Sequence, residues 1–302
     1  MKKMKKILSL ILATAMALGV FVGCASKDGG DGGDKKIGLV ISTLNNPFFV
    51  DLEAGAKEKA KELGATLITL DSQDDSATEL SNVEDLVNQK VDLILINPTD
   101  SDAVKSAVEA ANAAKIPVIT LDRGANGGEV VAHIASDNVA GGVLAGEFIV
   151  DKLGGEGKVV ELEGIPGASA ARDRGEGFNK ALEGTKIEVV ARQTANFDRA
   201  EGLSVMENIL QAEPDIKAVF AHNDEMALGA LEAIKASGRD IMVVGFDATD
   251  DAKAAVADGS MAATVEQLPK MIGSLGVENA IKVINGDTVE KTIPVDLKLV
   301  TK

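Results

Sequence analysis

The 302-residue sequence contains no Trp and no Tyr, only one Cys and only two His. With a single Cys, no disulfide can form within the chain, so a buried core must supply its stability. The two His show neither H-x-x-H nor H-E-x-x-H spacing, which gives no support for a zinc site. The eight Phe are the only ring-bearing apolar residues, so the position of each of them is informative.

Basic residues are also scarce. The chain has 31 Lys and Arg against 47 Asp and Glu, and its formal net charge is −16. A surface of this sign repels nucleic acid and anionic lipid headgroups. We therefore expect no nucleic-acid partner.

The first 23 residues have the composition of a secretory signal. Four Lys in "MKKMKK" precede an apolar run from Ile7 to Gly23 that contains no acidic residue. A transmembrane anchor would need about twenty apolar residues and no cleavage site, whereas this run ends in "FVGC" and is followed by "ASKDGGDGGDKK". The ending resembles a bacterial lipobox, although Phe21 stands where Leu is usual. We predict a signal peptide over 1–23, lipidation of Cys24 and a flexible linker over 24–36, and removal of the four Lys would take the net charge from −16 to −20.

From Ile37 onward, short β-branched runs alternate with stretches of helical period. Runs that are apolar on consecutive residues indicate strands covered on both faces, and their alternation with helices indicates parallel sheets. Ten such runs would form one very wide sheet or two of about five strands, and open sheets rarely grow so wide. We therefore predict an α/β protein of two lobes with a boundary near residues 135–138. A TIM barrel is the main alternative, but it would need eight regular units.

Polar residues follow several of the predicted strands. In parallel sheets, ligands bind beyond the carboxyl ends of the strands, so these residues are candidates for one site. Capping and turn formation explain any single Asn or Asp among them, but they do not explain Arg123 or Gln267. The residues that follow the runs are Asn97, Asp122, Arg123, Asn223, Asp224, Phe246, Asp247 and Gln267.

An adjacent Phe pair follows the first run, after Asn46. Pro47 is well placed at the first turn of a helix, so Phe48 and Phe49 should project from the start of that helix over the strand ends. A core contact could account for one ring, but we expect that adjacent helical residues cannot both face the same core. Phe197 also lies in a loop-like position, whereas three others fit the core: Phe148, Phe178 and Phe220.

Asp224 can be explained as the cap of the helix that begins at Glu225, so we leave it out of the inventory. With Arg174 added, the inventory combines rings, amides, two Arg (Arg123 and Arg174) and two Asp (Asp122 and Asp247), so its charges cancel and the complementary ligand is neutral. Rings that stack on flat C–H faces, together with charged groups that grip hydroxyls, are typical of a sugar site. A missing hydroxyl would leave a buried polar group unpaired at a cost of about 1–3 kcal/mol, which would make such a site selective.

Enzyme motifs are not found. "GGEGKVV" (154–160) lacks the phosphate-loop spacing and precedes a strand, which is typical of a turn that ends a helix. "GGVLAG" (141–146) lies within a predicted helix and is not a dinucleotide fingerprint. No G-x-S-x-G elbow occurs. We predict that the chain is not an enzyme and requires no cofactor or metal.

Several longer stretches resemble the ribose-binding proteins of bacterial ABC sugar importers, within the periplasmic-binding-protein type I family. They are "STLNNPFF", "INPTDSDAV", "IPVITLDR", "HIASDN", "AARDRGEGF", "NDEMALGAL", "VVGFD" and "PVDLKLV", in order from about Ile37 to the C-terminus. The resemblance implies two similar doubly wound parallel-sheet lobes joined by a three-crossover hinge, with the ligand cleft between them. It places the crossovers near Ser136, Gln267 and Val295, so that the lobes would be 37–136 plus 268–296 and 137–267 plus 297–302.

The resemblance also supplies a set of ribose contacts, including Arg174 and Phe197, which strand-end reasoning alone does not place. Three neighbours of the set depart from the usual pattern, namely His222, Ala248 and Glu266. The implied contacts are Asn46, Phe48, Phe49, Asn97, Asp122, Arg123, Arg174, Phe197, Asn223, Phe246, Asp247 and Gln267.

The function implied is an extracytoplasmic receptor that captures D-ribose and delivers it to the permease and ATPase of an ABC importer. We expect a monomer held to the outer face of the membrane by acyl chains. A receptor for another small neutral sugar, such as a different pentose, allose or a furanosyl signal, is the alternative within this class. A sugar-sensing transcriptional repressor would need a DNA-binding segment and a basic surface, and a sugar-modifying enzyme would need the motifs that are missing.

Overall fold

A computed structural model of the chain describes residues 35–302. The predicted signal peptide, Cys24 and most of the predicted linker lie outside the described residues. The described part contains two six-stranded sheets. The strands are β1 (Lys36–Ile41), β2 (Thr66–Asp71), β3 (Leu93–Ile96), β4 (Val118–Leu121), β5 (Ala132–Ser136), β6 (Glu156–Glu163), β7 (Lys186–Thr194), β8 (Ile216–Ala221), β9 (Met242–Asp247), β10 (Ala263–Glu266), β11 (Thr292–Val295) and β12 (Lys298–Thr301).

The two sheets have the same strand order. The order is β11-β5-β4-β3-β1-β2 in the first and β12-β10-β9-β8-β6-β7 in the second. All strands of the first sheet are parallel. In the second sheet only β12 is antiparallel, and it pairs with β10. The prediction of an α/β protein with two similar doubly wound lobes is confirmed, and the TIM-barrel alternative does not apply.

Helices cover both faces of each sheet. Because successive strand residues point to opposite faces, Leu39 of β1 joins the apolar cluster beneath α1 and α9, whereas Val40 joins the cluster beneath α2 and α3. The second sheet is covered by α4 and α5 on one face and by α6, α7 and α8 on the other. The helices are α1 (Pro47–Glu62), α2 (Ser76–Asn88), α3 (Lys105–Ala113), α4 (Asn138–Leu153), α5 (Ser169–Leu182), α6 (Arg199–Ala212), α7 (Asp224–Ser237), α8 (Asp250–Asp258) and α9 (Pro269–Ile284).

The chain passes between the two sheets three times. It leaves the first sheet after β5, returns after β10 to form α9 and β11, and leaves again after β11 to add β12 to the edge of the second sheet. Each sheet is therefore assembled from segments that are distant in sequence.

The glycine-rich stretch 141–146 lies inside α4, where it allows close packing against α5. A Cβ on Gly142 would overlap the backbone carbonyl oxygen of Arg174, so only glycine permits this approach of the two helices. Gly154 follows the last residue of α4 with a left-handed φ of 67°. The interpretation of "GGEGKVV" as a helix-ending turn is therefore confirmed.

All ten predicted strands are present, and two further strands were not predicted. β11 and β12 have four residues each, occupy sheet edges and are largely half-buried or exposed, so they lack the continuous apolar run that marks a central strand. Within residues 35–302, no helix has the length and apolar character needed to cross a bilayer.

Candidate functional site

A closed cavity lies where the carboxyl ends of the strands of the two sheets face each other. The space between its walls is about 230 Å³. The wall residues are buried, so the two lobes are closed over it. They are Asn46, Phe48, Phe49, Asp122, Arg123, Ala170, Arg174, Phe197, Asn223, Asp247 and Gln267.

The Phe pair stands at the start of α1. Asn46 caps this helix by accepting a hydrogen bond from the Phe48 amide at 2.9 Å, and Pro47 is its first residue. The Phe48 and Phe49 rings meet edge to face with their centroids 5.2 Å apart. The expectation that the two rings could not share one core was wrong, because both belong to the cluster with Leu39. At the first turn of the helix each ring contacts this core while also reaching the cavity.

Arg123 is held between two rings. Its guanidinium carbon lies 5.0 Å from the centroid of Phe49 and 5.1 Å from that of Phe197. One terminal nitrogen donates to the carbonyl of Pro98 at 3.3 Å, and Nε lies 4.0 Å from a carboxylate oxygen of Asp122. The rings therefore stabilise a buried cation by cation–π contact as well as forming the apolar wall, a role that the sequence did not reveal.

Arg174 of α5 is fixed entirely by groups of the second lobe. Its Nε donates to Oδ1 of Asn138 at 2.8 Å, and its Nη1 donates to the carbonyl of His222 at 2.6 Å. The same Nη1 lies 3.7 Å from Oδ1 of Asp247, and the guanidinium carbon lies 3.9 Å from the centroid of the Phe246 ring. This fork geometry orients the guanidinium before any ligand contributes to it.

Several buried polar atoms at the wall have no hydrogen-bond partner. They are Oδ1 of Asp122, Nε of Arg123 and Oε1 of Gln267. The other end of the Gln267 amide donates to Asp247 at 2.9 Å, which aims the unpaired oxygen. A buried donor or acceptor without a partner costs about 1–3 kcal/mol. The wall is therefore built to pair with a ligand that both donates and accepts hydrogen bonds.

The charges of the wall balance one another. Burial raises the pKa of Asp122, and the nearby Arg174 and Arg123 oppose this rise. Burial also raises the pKa of Asp247 well above its usual value, again against the effect of Arg174. Arginine stays protonated in proteins, so two cations face two carboxyl groups. Since neither sign is in excess, the arrangement suits a neutral, polyhydroxylated ligand.

A second layer of hydrogen-bonded side chains supports the His222 carbonyl that holds Arg174. The buried His222 ring places Nε2 3.0 Å from Oε1 of Glu161, and Glu161 accepts a 2.6 Å hydrogen bond from Arg192. Burial lowers the pKa of His222, which favours the neutral ring, while the contacts with His222 and Arg192 outweigh burial and lower the pKa of Glu161. The histidine thus acts on the site through its backbone.

Comparison with known proteins identifies the fold family. A family model described as a periplasmic binding protein domain matches residues 37–288. The chain belongs to the periplasmic binding protein family.

Relatives within this family are similar over nearly the whole chain. The ribose import binding protein of Salmonella typhimurium is 56% identical, with 99% of each chain covered. The protein of the same name from Bacillus subtilis is 53% identical over 98% of this chain and 96% of its own. A solved structure of an ABC transporter solute binding protein from Bacillus halodurans with bound myo-inositol has a TM-score of 0.86 and 36% identity, covering 90% of this chain and 96% of that one.

These relatives are binding proteins of importers, which confirms the prediction that the chain is not an enzyme. They also favour a sugar receptor over the two alternatives, a sugar-sensing transcriptional repressor and a sugar-modifying enzyme. Across residues 35–302, no group of three or more His, Cys, Asp or Glu is arranged to hold a metal ion.

In this periplasmic binding protein, ten of the twelve predicted contact residues lie on the cavity wall, and two do not. Asn97 has all its polar atoms engaged: Oδ1 accepts from the amide and hydroxyl of Ser42 at 3.3 and 2.7 Å, and Nδ2 donates to the carbonyl of Leu121 at 3.1 Å. It therefore braces the ends of β1, β3 and β4. Phe246 lies beneath Arg174 as its stacking partner.

Ala170 is a wall residue that the sequence analysis did not identify. It precedes Arg174 by four residues on α5, so both lie on the same face of the helix. A small residue one turn before a site arginine is the signal that could have indicated it.

Asn46 and Asn223 show that capping and site roles coexist. Asn223 accepts from the amide of Met226 at 2.9 Å as the N-cap of α7, and its Nδ2 donates to the carbonyl of Phe197 at 3.1 Å. The amide thereby fixes a wall residue while lying on the wall itself.

Proposed function

We propose that the protein is an extracytoplasmic receptor that binds D-ribose in the closed cavity and delivers it to an ABC permease. The observation that carries this proposal is the set of unpaired polar atoms of Asp122, Arg123 and Gln267 in a small, ring-lined and charge-balanced cavity. The relatives named as ribose import binding proteins support ribose as the sugar.

Binding requires no covalent chemistry. The carboxylates of Asp122 and Asp247 accept hydrogen bonds from sugar hydroxyls, and Arg123 and Arg174 donate to sugar oxygens. The Phe48, Phe49 and Phe197 rings cover the C–H faces of the sugar. These side chains project from both lobes, so the full set of contacts forms only when the lobes close.

Closure proceeds by a hinge between two discontinuous lobes, 37–136 plus 268–296 and 137–267 plus 297–302, about crossovers near Ser136, Gln267 and Val295. The three passages of the chain between the sheets support this division. Sugar shifts the equilibrium because it binds the closed state more tightly than the open one. The closed form is then the species that the permease and its ATPase receive.

The placement of the receptor follows from the N-terminal sequence. A signal peptide over 1–23 exports the chain, and acyl chains on Cys24 hold it to the outer face of the membrane through the linker 24–36. The composition of "MKKMKK", the apolar run and the single Cys support this placement. The receptor acts as a monomer and has no nucleic-acid partner.

A receptor for another small neutral sugar is the second candidate, whether a different pentose, allose or a furanosyl signal. The charge balance of the wall favours any neutral polyol of suitable size, and the related solved structure with bound myo-inositol shows that this fold accepts a different one.

Isothermal titration calorimetry of the full chain with D-ribose, arabinose, xylose, allose, galactose and glucose tests the proposal. We expect one-to-one binding of ribose with roughly 8 kcal/mol or more of binding free energy, which corresponds to micromolar affinity or tighter, and far weaker binding of the others. Asp122→Ala should abolish measurable binding, whereas the control Asp151→Asn, an exposed carboxyl of α4, should leave it unchanged. Binding of another sugar in place of ribose would transfer the function to the second candidate.

A further inference from the structure

The two lobes meet a second time outside the cavity wall, at a site that we call the rim contact. On the first lobe it comprises the turn between β3 and α3 and the residue after Arg123, and on the second lobe the segment between β6 and α5 and the first turn of α5. None of these residues lines the cavity. The members are Asp100, Ser101, Gly124, Gly167, Ser169 and Arg172.

Direct hydrogen bonds cross between the lobes at the rim contact. The Ser101 amide donates to the carbonyl of Gly167 at 3.0 Å, and the Gly124 amide donates to the hydroxyl of Ser169 at 2.9 Å. Arg172 donates across to the hydroxyl of Ser101 at 3.4 Å and, within its own lobe, to the same Gly167 carbonyl at 2.9 Å. Ser101 is only 1% exposed, so the bond from its amide is shielded from water while the lobes are together.

Gly167 is a point of very close approach. A Cβ built on it would overlap Oδ2 of Asp100, which belongs to the opposite lobe. Gly167 is not among the residues with positive φ, so its backbone conformation does not require glycine. Glycine is required here because the opposite lobe leaves no room for a side chain. Asp100 cannot easily swing away, because its other carboxylate oxygen accepts from the amides of Asp102 and Ala103 at 2.8 Å each.

We infer that the rim contact is a determinant of sugar affinity that never touches the sugar. The hydrogen bonds that cross between the lobes form only when the lobes are together, so they add to the stability of the closed state and hence to the fraction of binding-competent protein. Apparent affinity scales with that fraction. The inference rests on the proposed function, because it requires closure around a sugar.

A change at the rim contact should differ in kind from a change at the cavity wall. A substitution at the rim contact lowers the affinity for every sugar by the same factor, because it alters the closing equilibrium and leaves the wall intact. A wall substitution alters individual hydrogen bonds and therefore changes the ranking of sugars. The constancy of the ranking is thus the signature that separates the two roles.

The chain offers a matched pair of glycines for the test. Gly167→Ala places a methyl group against Asp100 and should raise the Kd for ribose roughly 5- to 150-fold, the range that corresponds to a typical overpacking cost. Gly124→Ala is the control, because it keeps the backbone amide that donates to Ser169 and its Cβ would have no neighbour closer than 3.9 Å. It should bind like the wild type. Both are measured by calorimetry on the full chain, and thermal unfolding without sugar should be the same for both.

The double variant Asp100→Ala/Gly167→Ala makes the test specific. Removing the carboxylate takes away the two atoms that overlap the new methyl group and leaves the Cβ of residue 100 at 3.2 Å. This variant should therefore bind more tightly than Gly167→Ala alone and approach Asp100→Ala. Hydrogen exchange at the Ser101 amide in saturating ribose provides a second reading: protection should fall in Gly167→Ala and return in the double variant.

Each outcome decides the inference. Binding by Gly167→Ala within about twofold of the wild type, below any overpacking cost, would overturn it, as would a loss that the double variant does not reverse. If the wild type binds another sugar of the panel instead of ribose, the proposed function fails, and the same variants titrated with that sugar decide the role of the rim contact. Absence of binding by the wild type with every sugar would overturn both.

Discussion

Arg174 offers the most direct test of how the site is held together. Replacement by Lys keeps the positive charge but loses the planar guanidinium, which donates to Asn138 and to the His222 carbonyl at the same time. An ammonium group on a flexible stem cannot occupy both positions and remain stacked on Phe246. Replacement by Met keeps the apolar stem and removes the charge altogether.

The magnitudes follow from these contacts. A hydrogen bond to a charged group contributes about 1.5–3 kcal/mol, so Arg174→Lys, which loses one of two, should lower the free energy of unfolding by about that amount. Arg174→Met removes both bonds and leaves Asp247 without its cation, and loss of one partner of a buried pair costs about 3–5 kcal/mol. Both variants should weaken ribose binding by at least about tenfold, the equivalent of one lost charged hydrogen bond.

The Met variant should also have a distinctive pH dependence. Burial holds the pKa of Asp247 well above its usual value, and Arg174 is the strongest influence in the opposite direction, so removing Arg174 raises that pKa further. An acid whose folded-state pKa exceeds its unfolded value contributes stability below the unfolded pKa and loses it as pH rises through the folded pKa. The stability deficit of Arg174→Met should therefore be larger at about pH 8 than at about pH 5.

Urea unfolding of the sugar-free protein, followed by far-ultraviolet circular dichroism, measures these differences without needing Trp. Calorimetry with ribose measures the affinities. A Lys variant with wild-type stability and affinity would refute the fork argument. A Met deficit that does not grow with pH would show that Asp247 does not depend on Arg174 for its charge.

Other features of the structure make further predictions. Burial raises the pKa of Glu79 to about 7. Glu79→Gln should therefore be more stable than the wild type at about pH 8, by up to about 3 kcal/mol, and equally stable near pH 4.5. A difference in urea unfolding that stays constant over this pH range would contradict the raised pKa of Glu79. Gly142→Ala, whose methyl group would overlap the neighbouring helix, should lower the unfolding free energy by about 1–3 kcal/mol, and an unchanged value would show that α4 and α5 can separate without cost. Because burial raises the pKa of Asp122 and Asp247, ribose affinity should weaken as the pH is lowered and the carboxylates that accept hydrogen bonds from the hydroxyls become protonated. Calorimetry showing tighter binding at lower pH would contradict the assigned direction of these hydrogen bonds.

Much of the fold could be predicted from the sequence because the central strands are buried on both faces. A strand such as β3, with four fully apolar residues, can be recognised without knowing its neighbours. The strands β11 and β12 could not be predicted, because each has only four residues and its sequence mixes apolar and polar residues. The edge strands β2 and β7 are longer and carry recognisable apolar runs. The place of β11 and β12 in the sheets depends on the crossovers rather than on local pattern.

The strand-end rule found those site residues whose position depends on the sheet alone. Asp122 and Gln267 follow strands directly, and parallel strands bring their ends to one edge. Arg174 lies inside α5, where nothing local separates it from the exposed Arg172, so only the family resemblance indicated it. Asn97 follows a strand as well, but its position between two neighbouring strands uses its amide for bracing.

Backbone contacts were the part of the site that sequence could not supply. The group that fixes Arg174 most closely is a carbonyl oxygen of His222, and every residue has such an oxygen. Which carbonyl faces the guanidinium depends on how β8 and α5 pack, so the choice of side chain at position 222 carries no direct signal of that contact.

The backbone at the wall shows why the two halves of the site are rigid. Asp122, Phe197 and Asp247 have φ values of 62°, 62° and 114°, a region that residues other than Gly avoid at a cost of about 1–3 kcal/mol each. Glycine would remove the strain but also the side chain that the cavity needs. Backbone hydrogen bonds to the neighbouring strand segments hold two of these residues in place: the amide of Asp122 donates to the carbonyl of Ile134 at 2.8 Å, and the carbonyl of Asp247 accepts from the amide of Gln267 at 3.2 Å. Each lobe thus presents a rigid part of the cavity wall, so selectivity depends on how well a sugar matches both parts. Affinity depends in addition on how readily the lobes close.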